Sequence, residues 1–367
     1  MKVVIYIGHH KVGSTALQAY LSQNWRKLAK AGILYPAVET RGFANNLKKS
    51  LGADDKLAVS HVNVREPHSA LAYRMISDVS DRKIPPQFQA LPGTSQMFHA
   101  INNQVEILQP DTLVLCSEAF ANFGQVDPNA ISRLANHLPK ATKEVQIYCA
   151  LRRPDDYMIS WHGQRLKVGE KPSPLMGDGV KQYQETIHFN YRLVVEAWHE
   201  RMPKAQLTSR NYSDILATGG SIEDFIAQTG LSVPDNMVTP GRANPSLPRS
   251  AFAIMRRANE ELSRPAAHAL SVYLQRHGDD LSPVRNSDVE MFGAPQRLQV
   301  AEAFAPVHAY ISALTGKESF FPDIDQMQVC RPVPEEEATR QLLMSLDPEA
   351  MPNPELRNYI RTLQNSF

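Results

Sequence analysis

Short apolar runs rich in β-branched residues recur along the first two thirds of the chain, and each is followed by polar or glycine-containing residues. Three such runs cover residues 3–7, 112–116 and 145–151. Continuous apolar runs of this length are typical of parallel strands buried on both faces of a sheet. We therefore predict strands at these positions, and a fourth at residues 205–209.

The segments between these strands have the spacing of amphipathic helices. In residues 14–31 the apolar side chains of Leu17, Tyr20, Leu21 and Leu28 follow helical periodicity, and Gly32 stands where a C-terminal glycine cap belongs. Pro154 is placed to open a helix after the third strand. Further helices are predicted over residues 70–78, 95–108, 130–137, 183–201, 222–230, 249–276, 295–315 and 354–364.

Strands that alternate with helices predict an α/β fold with a mostly parallel central sheet. We expect a three-layer sandwich, in which the sheet lies between two layers of helices. The whole chain, residues 1–367, is predicted to form one domain. Residues 1–248 would form its α/β core and residues 249–367 a mainly helical C-terminal portion.

Composition narrows the class of protein without defining its chemistry. The 367 residues are 43% hydrophobic and 21% charged, with a net charge of +1, as in ordinary globular proteins. This balance gives no support to a general nucleic-acid-binding surface. No apolar run reaches the roughly 20 residues of a membrane span, and no signal peptide is recognisable. Three unpaired cysteines fit a reducing compartment, so we expect a cytoplasmic protein whose oligomeric state the sequence leaves open.

The loop after the first strand has the composition of an anion-binding site. It runs from Gly8 through Lys11 and Gly13 to Ser14 and Thr15, where a helix begins, and no acidic residue occurs before Glu39. Unpaired N–H groups at a helix N-terminus, a lysine and two hydroxyl groups are all suited to an anion. The glycine spacing is that of a nucleoside triphosphatase or kinase loop, but lysine does not directly precede the serine. A glycine turn without a ligand is the other alternative.

A second group suited to phosphate follows the third strand. Arg152 comes at the strand end and Ser160 eight residues later, in the predicted helix. A guanidinium can bind two phosphate oxygens, and a hydroxyl can donate a further hydrogen bond. The alternative for Arg152 is an ion pair with Asp155 or Asp156 at the start of that helix.

Together, the two segments resemble sulfotransferases that use 3′-phosphoadenosine 5′-phosphosulfate (PAPS), and above all their bacterial-type branch. Residues 7–18 (IGHHKVGSTALQ) are similar to the family's 5′-phosphosulfate loop, and residues 151–160 (LRRPDDYMIS) to its 3′-phosphate motif. The resemblance implies a P-loop-like sulfotransferase fold and transfer of a sulfuryl group from PAPS to a hydroxyl or amine. The product of the donor would be adenosine 3′,5′-bisphosphate.

The resemblance also implies roles for individual residues. Lys11 would contact the 5′-phosphate and the bridging oxygen, and the backbone and hydroxyl groups of Gly13, Ser14 and Thr15 would surround that phosphate. Arg152 and Ser160 would hold the 3′-phosphate. Tyr212, which follows the fourth strand, would lie near the adenine, although packing in the core is an equal alternative.

Sulfuryl transfer needs a base for the acceptor proton and a positive charge on the leaving phosphate. Lys11 supplies the charge. Glu118, which follows the second strand, is the first candidate for the base, and His10 is the second. A capping or salt-bridging role for Glu118, and a hydrogen bond from His10 to the backbone, are the alternatives. This chemistry requires no metal, and the histidine pair His9-His10 alone does not indicate one.

The acceptor is less defined than the donor. The bacterial-type motifs favour a carbohydrate or lipid-linked acceptor, or another small molecule, and residues 40–105 and those after residue 250 are expected to shape its pocket. Two other functions remain open, a nucleotide-dependent kinase and a non-catalytic nucleotide-binding regulatory protein. Affinity for adenosine 3′,5′-bisphosphate rather than ATP would separate the three.

Overall fold

A computed structural model describes residues 1–51, 62–88, 90–241 and 246–366. Part of the segment expected to shape the acceptor pocket, residues 52–61 and 89, lies outside the described residues. The central feature is a five-stranded, fully parallel sheet with strand order β2-β3-β1-β4-β5. Its strands are β1 (Lys2–Tyr6), β2 (Ile33–Leu34), β3 (Thr112–Cys116), β4 (Glu144–Leu151) and β5 (Gln206–Asn211). A separate two-stranded ribbon pairs β6 (Val289–Glu290) with β7 (Val333–Pro334).

Helices make up most of the remaining described chain. In the first half they are α1 (Ser14–Gln23), α2 (Trp25–Lys30), α3 (Thr40–Ser50), α4 (Val62–Arg65), α5 (Pro67–Val79), α6 (Thr94–Leu108), α7 (Phe123–Val126), α8 (Asn129–His137) and α9 (Pro154–Lys167). In the second half they are α10 (Lys181–Gln184), α11 (Arg192–Arg201), α12 (Tyr212–Ala217), α13 (Ser221–Thr229), α14 (Phe252–Glu261), α15 (Arg264–Leu281), α16 (Ala294–Thr315), α17 (Glu335–Ser345) and α18 (Pro354–Ser366).

Both faces of the sheet are buried, which explains the unbroken apolar runs of its strands. Val4 and Tyr6 of β1 belong to one hydrophobic cluster with Leu17 of α1 and Phe225 of α13. Val3 and Ile5 point to the opposite face, because side chains alternate along a strand, and they too are fully buried. The α/β class and the parallel central sheet are thus confirmed.

The chain divides into two compact units. The first, which contains the five-stranded sheet, comprises residues 1–152, 190–243 and 310–320. The second comprises residues 153–189, 244–309 and 321–367. The expected organisation as one domain stays a prediction.

Buried ion pairs hold elements of the second unit together. Arg153 Nε lies 2.7 Å from Asp155 Oδ1 at the start of α9. Arg297 of α16, almost fully buried, lies 2.8 Å from Glu290 of β6 and 3.6 Å from Asp155. These charges satisfy one another inside the unit, as buried charges must.

Residues 183–201 do not form the single helix that their pattern predicts. Helix α10 ends at Gln184 and α11 begins only at Arg192. Between them the Thr186 hydroxyl donates to the Tyr183 carbonyl and accepts from the His188 N–H. A threonine side chain that bonds to nearby backbone in this way competes with helical hydrogen bonds. The prediction of one helix here was wrong.

Two other predicted helices are each divided in two. Residues 14–31 form α1 and α2, which meet at Asn24, whose side chain donates to the Tyr20 carbonyl at 2.9 Å and to the Val238 carbonyl at 2.8 Å. Residues 249–276 are interrupted after Glu261, and α15 begins with Ser263 as its cap. Polar side chains that bond to the backbone end one helix and begin the next at these positions. The spacing of apolar residues continues across them and therefore does not predict the interruption.

Candidate functional site

The sheet topology directs attention to the carboxyl end of β1. From β1 the chain moves outward to β2, whereas the later connections lead to β3, β4 and β5 in the opposite direction. In an open parallel sheet, ligands bind beyond the carboxyl ends of the strands, where the direction of the connections reverses. The loop between β1 and α1, which contains the predicted anion site, therefore stands at the expected position.

Two residues of this loop have left-handed backbone conformations. Lys11 has φ 62°, and Gly13, which caps the start of α1, has φ 87°. Left-handed residues within a turn direct successive backbone N–H groups into one concave surface, which suits an anion. A side chain at Gly13 is also excluded by packing, because a Cβ there would lie 2.2 Å from Ser221 Oγ. The Ser221 hydroxyl in turn donates to the Gly13 carbonyl at 3.1 Å.

The predicted phosphate-binding residues differ in exposure. Ser14 is buried in the first turn of α1, Lys11 and Gly13 are half-buried, and Thr15 is exposed. All four belong to one turn of backbone at the N-terminus of a 10-residue helix. Lys11 thus adds a formal charge to the partial positive charge of the helix end.

Glu118 and His10 come together beside this loop. Glu118 begins a short 3₁₀ helix, separated from the end of β3 by one residue, and its Oε1 atom lies 3.6 Å from His10 Nδ1. Its Oε2 atom accepts a hydrogen bond of 2.7 Å from the Gln18 side chain. Burial raises the pKa of Glu118, but hydrogen bonds from His10 and Ser14 outweigh burial and hold that pKa below its ordinary value. Glu118 is therefore a carboxylate at neutral pH.

Arg152 and Tyr212 also come together. Arg152 follows β4, and its guanidinium carbon lies 5.3 Å from the centre of the Tyr212 ring. Tyr212 begins α12 and also packs against the hydrophobic cluster beneath the sheet, in agreement with the core-packing alternative. Its position near an adenine stays a prediction. The Tyr191 hydroxyl donates to the Arg152 carbonyl at 2.6 Å, and its ring meets the His9 ring edge-on at 4.3 Å. Tyr191 thereby connects the end of β4 to the loop after β1.

Ser160 belongs to the second unit. It is half-buried on α9, which begins at Pro154 as the sequence predicts. At the start of this helix, Arg153 pairs with Asp155. The assignment of Ser160 to the 3′-phosphate stays a prediction.

Three residues at this edge of the sheet were not recognised from the sequence as site residues. Gln18 lies one turn beyond Ser14 and orients Glu118. Glu66 precedes the first residue of α5, and burial together with the charge of Glu118 raises its pKa to about 7. Tyr35, which follows β2, interacts electrostatically with both carboxylates. The dipeptide Glu66-Pro67 is a helix-start signal, but sequence alone does not bring it to Glu118.

Metal-ligand clusters and membrane-spanning helices are both absent from the described parts of the chain. There, no group of three or more histidine, cysteine or acidic side chains is arranged to hold a metal ion. Among the helices within residues 1–51, 62–88, 90–241 and 246–366, none has both the length and the apolar character needed to cross a membrane.

Comparison with known proteins leaves the family open. No protein-family profile matches the chain, and no solved structure matches it. An uncharacterized protein of Archaeoglobus fulgidus is 30% identical over 152 residues, which is 41% of this chain and 39% of that protein. The matching region thus spans less than half of the relative's length, and that protein is described only as uncharacterized.

Proposed function

We propose that this protein is a sulfotransferase that uses PAPS as donor, and that its sheet and helices form the corresponding P-loop-like fold. The observation that carries the proposal is the left-handed turn at Lys11 and Gly13, which opens α1 beside the His10–Glu118 pair. An anion site and an acid–base pair at one edge of the sheet are the two elements that transfer of a charged group requires.

The donor site would be formed by the loop after β1 and by the end of β4. Backbone N–H groups of the turn at Gly13, the Ser14 and Thr15 hydroxyls and the Lys11 ammonium are suited to the 5′-phosphosulfate. The Arg152 guanidinium, over the Tyr212 ring, is suited to a phosphate or to a base stacked nearby. Two separate cationic groups fit a nucleotide that carries phosphates at both ends of its ribose.

The transfer step assigns a distinct role to each group. As the acceptor oxygen or nitrogen loses its proton, its electron pair forms a bond to sulfur. The bond between sulfur and the bridging oxygen breaks, and that electron pair remains on the leaving phosphate. Lys11 stabilises the charge that develops there. The proton passes to the base, for which the adjacent carboxylate and imidazole of Glu118 and His10 are the candidates.

The pairing of His10 with Glu118 gives each candidate a partner. A carboxylate that contacts one ring nitrogen of a histidine orients the ring and stabilises its protonated form. Because hydrogen bonds keep Glu118 ionised, it can accept a proton directly or support His10 as the accepting group. Mutation of each residue separates these roles.

Calorimetry with adenosine 3′,5′-bisphosphate in excess chelator tests the proposal. We expect binding without divalent metal and much weaker binding of ATP, since the groups of the site bind phosphate directly. Binding that requires magnesium and favours ATP would support a kinase instead. Equal failure of both nucleotides would overturn the proposal.

The acceptor and the location of the enzyme extend this proposal. A small-molecule, glycan or lipid-linked hydroxyl or amine in the cytoplasm is the acceptor expected from the bacterial-type motifs. Release of adenosine 3′,5′-bisphosphate from PAPS, followed with panels of such acceptors, would identify the class.

A further inference from the structure

The N-terminal turn of α5 is fixed against the residues that lead into Glu118. The Ser69 and Ser117 hydroxyls are 2.8 Å apart, and the Cys116 N–H donates to His68 Nδ1 at 3.0 Å. His68 Nε2 therefore carries the proton that it donates to the Pro36 carbonyl, 3.1 Å away. Burial lowers the pKa of His68 to about 3, so this neutral ring is a structural link. These contacts place the start of α5 at the same edge of the sheet as Glu118.

The carboxyl group of Glu66 lies at this turn but does not cap its own helix. Glu66 is the N-cap residue of α5, yet its side chain makes no capping hydrogen bond. Burial raises its pKa to about 7, the charge of Glu118 contributes in the same direction, and Arg65 opposes them only partly. The two carboxyl groups thus lie within electrostatic range of each other. His10 contacts Glu118 and Arg65 acts on Glu66, so positive charge compensates the pair only in part.

The Tyr35 hydroxyl is a second polar group available at this position. The residue is 2% exposed, and its hydroxyl has no hydrogen-bond partner within the described parts of the chain. Burial raises the pKa of this hydroxyl, and the charges of Glu66 and Glu118 raise it further. A buried polar atom without a partner costs about 1–3 kcal/mol, so such atoms are normally satisfied.

Aromatic rings accompany the carboxyl groups. The rings of Tyr73 and Phe88 are 5.1 Å apart, and Tyr73 is electrostatically coupled to both Glu118 and Glu66. The Tyr35 ring meets His68 edge-on at 4.5 Å. Carboxylates combined with aromatic faces are the groups that bind ammonium ions in proteins.

We propose that Glu66, with Tyr35 and Glu118 beside it, binds a protonated amine of the acceptor molecule. This inference rests on the proposed sulfotransferase function and specifies its acceptor class as one that carries a cationic amine. An ammonium ion would relieve the repulsion between the two carboxylates and donate to Glu66. A neutral hydroxyl in its place would not reduce that repulsion.

The charge of Glu66 makes recognition dependent on pH. Below pH 7 Glu66 is mostly protonated and neutral, and above pH 7 it is mostly ionised, so ammonium binding should strengthen as pH rises through that value. The groups that act on it are Glu118, Arg65, Tyr35 and Tyr73, together with His10 through its contact with Glu118. Binding at pH 6 should consequently release a proton from Glu66.

The test compares ethanolamine with ethylene glycol, which differ in the ammonium group, with adenosine 3′,5′-bisphosphate present at saturation. At pH 8 we expect the wild-type protein to bind ethanolamine about 10–100-fold more tightly, the range for a hydrogen bond to a charged group. Glu66→Gln should abolish this preference, and Glu106→Gln, on the exposed face of α6, should retain it. Carboxyl NMR of Glu66 should show its titration moving to lower pH on addition of ethanolamine alone.

Two outcomes would overturn the inference. The first is equal binding of both probes to the wild-type protein, a result that needs no variant. The second is an unchanged preference in Glu66→Gln. The nucleotide measurement is separate, because Glu66 is assigned no contact with the donor. If adenosine 3′,5′-bisphosphate binds normally but the probes are not distinguished, the acceptor inference fails alone. If the nucleotide does not bind, the proposed function fails first.

Discussion

Two carboxyl groups at one edge of the sheet have pKa values displaced in opposite directions. Hydrogen bonds from His10 and Ser14 keep Glu118 ionised, whereas burial and the charge of Glu118 keep Glu66 protonated up to about pH 7. Groups whose surroundings separate their pKa values in this way commonly divide the work of a site. We assign Glu118 to proton transfer and Glu66 to recognition.

Glu118→Gln should reduce turnover and leave donor binding intact. Loss of a general base or its partner commonly costs about 10²–10⁴-fold in rate. Since Glu118 is ionised throughout the neutral range, the loss should be the same at pH 6 and pH 9. The measurement is release of adenosine 3′,5′-bisphosphate from PAPS, with His10→Ala in parallel. Near-normal turnover of Glu118→Gln with an inactive His10→Ala would identify His10 as the base. If both variants stay active, neither residue is the base.

Arg152→Ala should weaken binding of adenosine 3′,5′-bisphosphate far more than binding of adenosine 5′-phosphosulfate, which lacks the 3′-phosphate. A lost charge-assisted hydrogen bond is worth about 1.5–3 kcal/mol, or roughly 10–100-fold in affinity. Calorimetry on both nucleotides measures the difference, with Arg201→Ala, at the exposed end of α11, as the control. Equal losses for the two nucleotides would show that Arg152 does not bind the 3′-phosphate.

At the scale of elements, the junction of β1 with α1 forms the proposed donor site. Gly13→Ala should destabilise the protein and abolish nucleotide binding, because φ 87° and the nearby Ser221 hydroxyl both exclude a side chain. Gly169→Ala is the matched control: its φ of 88° is the same, but nothing lies within 4 Å of the added Cβ. Backbone strain should lower the free energy of unfolding of this variant by only about 1–2 kcal/mol, and the variant should retain nucleotide binding. Urea unfolding and calorimetry measure both effects, and indistinguishable variants would contradict the assignment.

Elements whose residues are buried on all sides were the ones that the sequence predicted well. Strands β3 and β4 differ from their predicted ranges by no more than one residue, since every position of such a strand contributes to the apolar run. The breaks at Asn24 and Thr186 were missed because single polar side chains cause them, by bonding to the backbone. Strand β2 is only two residues long, too short to produce a recognisable pattern.

The candidate site was predictable to a similar extent. The residues that follow β1, β3 and β4 could be named, because parallel strands end at one edge of the sheet. Pairing of His10 with Glu118, and stacking of Arg152 on Tyr212, depend on side-chain directions that spacing does not specify. Glu66 was missed because its environment is created by Glu118, which is 52 residues further along the chain.

At the scale of the molecule, the candidate site lies at one of the two ends of the parallel strands. The carboxyl edge holds the loop after β1 and the residues after β3, β4 and β5. At the amino edge, backbone hydrogen bonds connect Lys2 to Asp111 and Lys143 to Met1. Both ends of the strands belong to the same unit, so the amino ends can serve as an internal reference when ligand effects are measured at the carboxyl ends.

Hydrogen exchange with and without adenosine 3′,5′-bisphosphate should therefore distinguish the two edges. We expect the nucleotide to slow exchange at residues 8–15 and at the residues just beyond β4, because their backbone groups would be ordered by phosphate. Peptides that cover residues 109–111 and 139–143 should exchange at unchanged rates. Since a ligand also stabilises the whole folded state by mass action, the comparison is made under conditions where local opening dominates exchange. Protection confined to the amino edge would place the nucleotide elsewhere and contradict the proposed donor site.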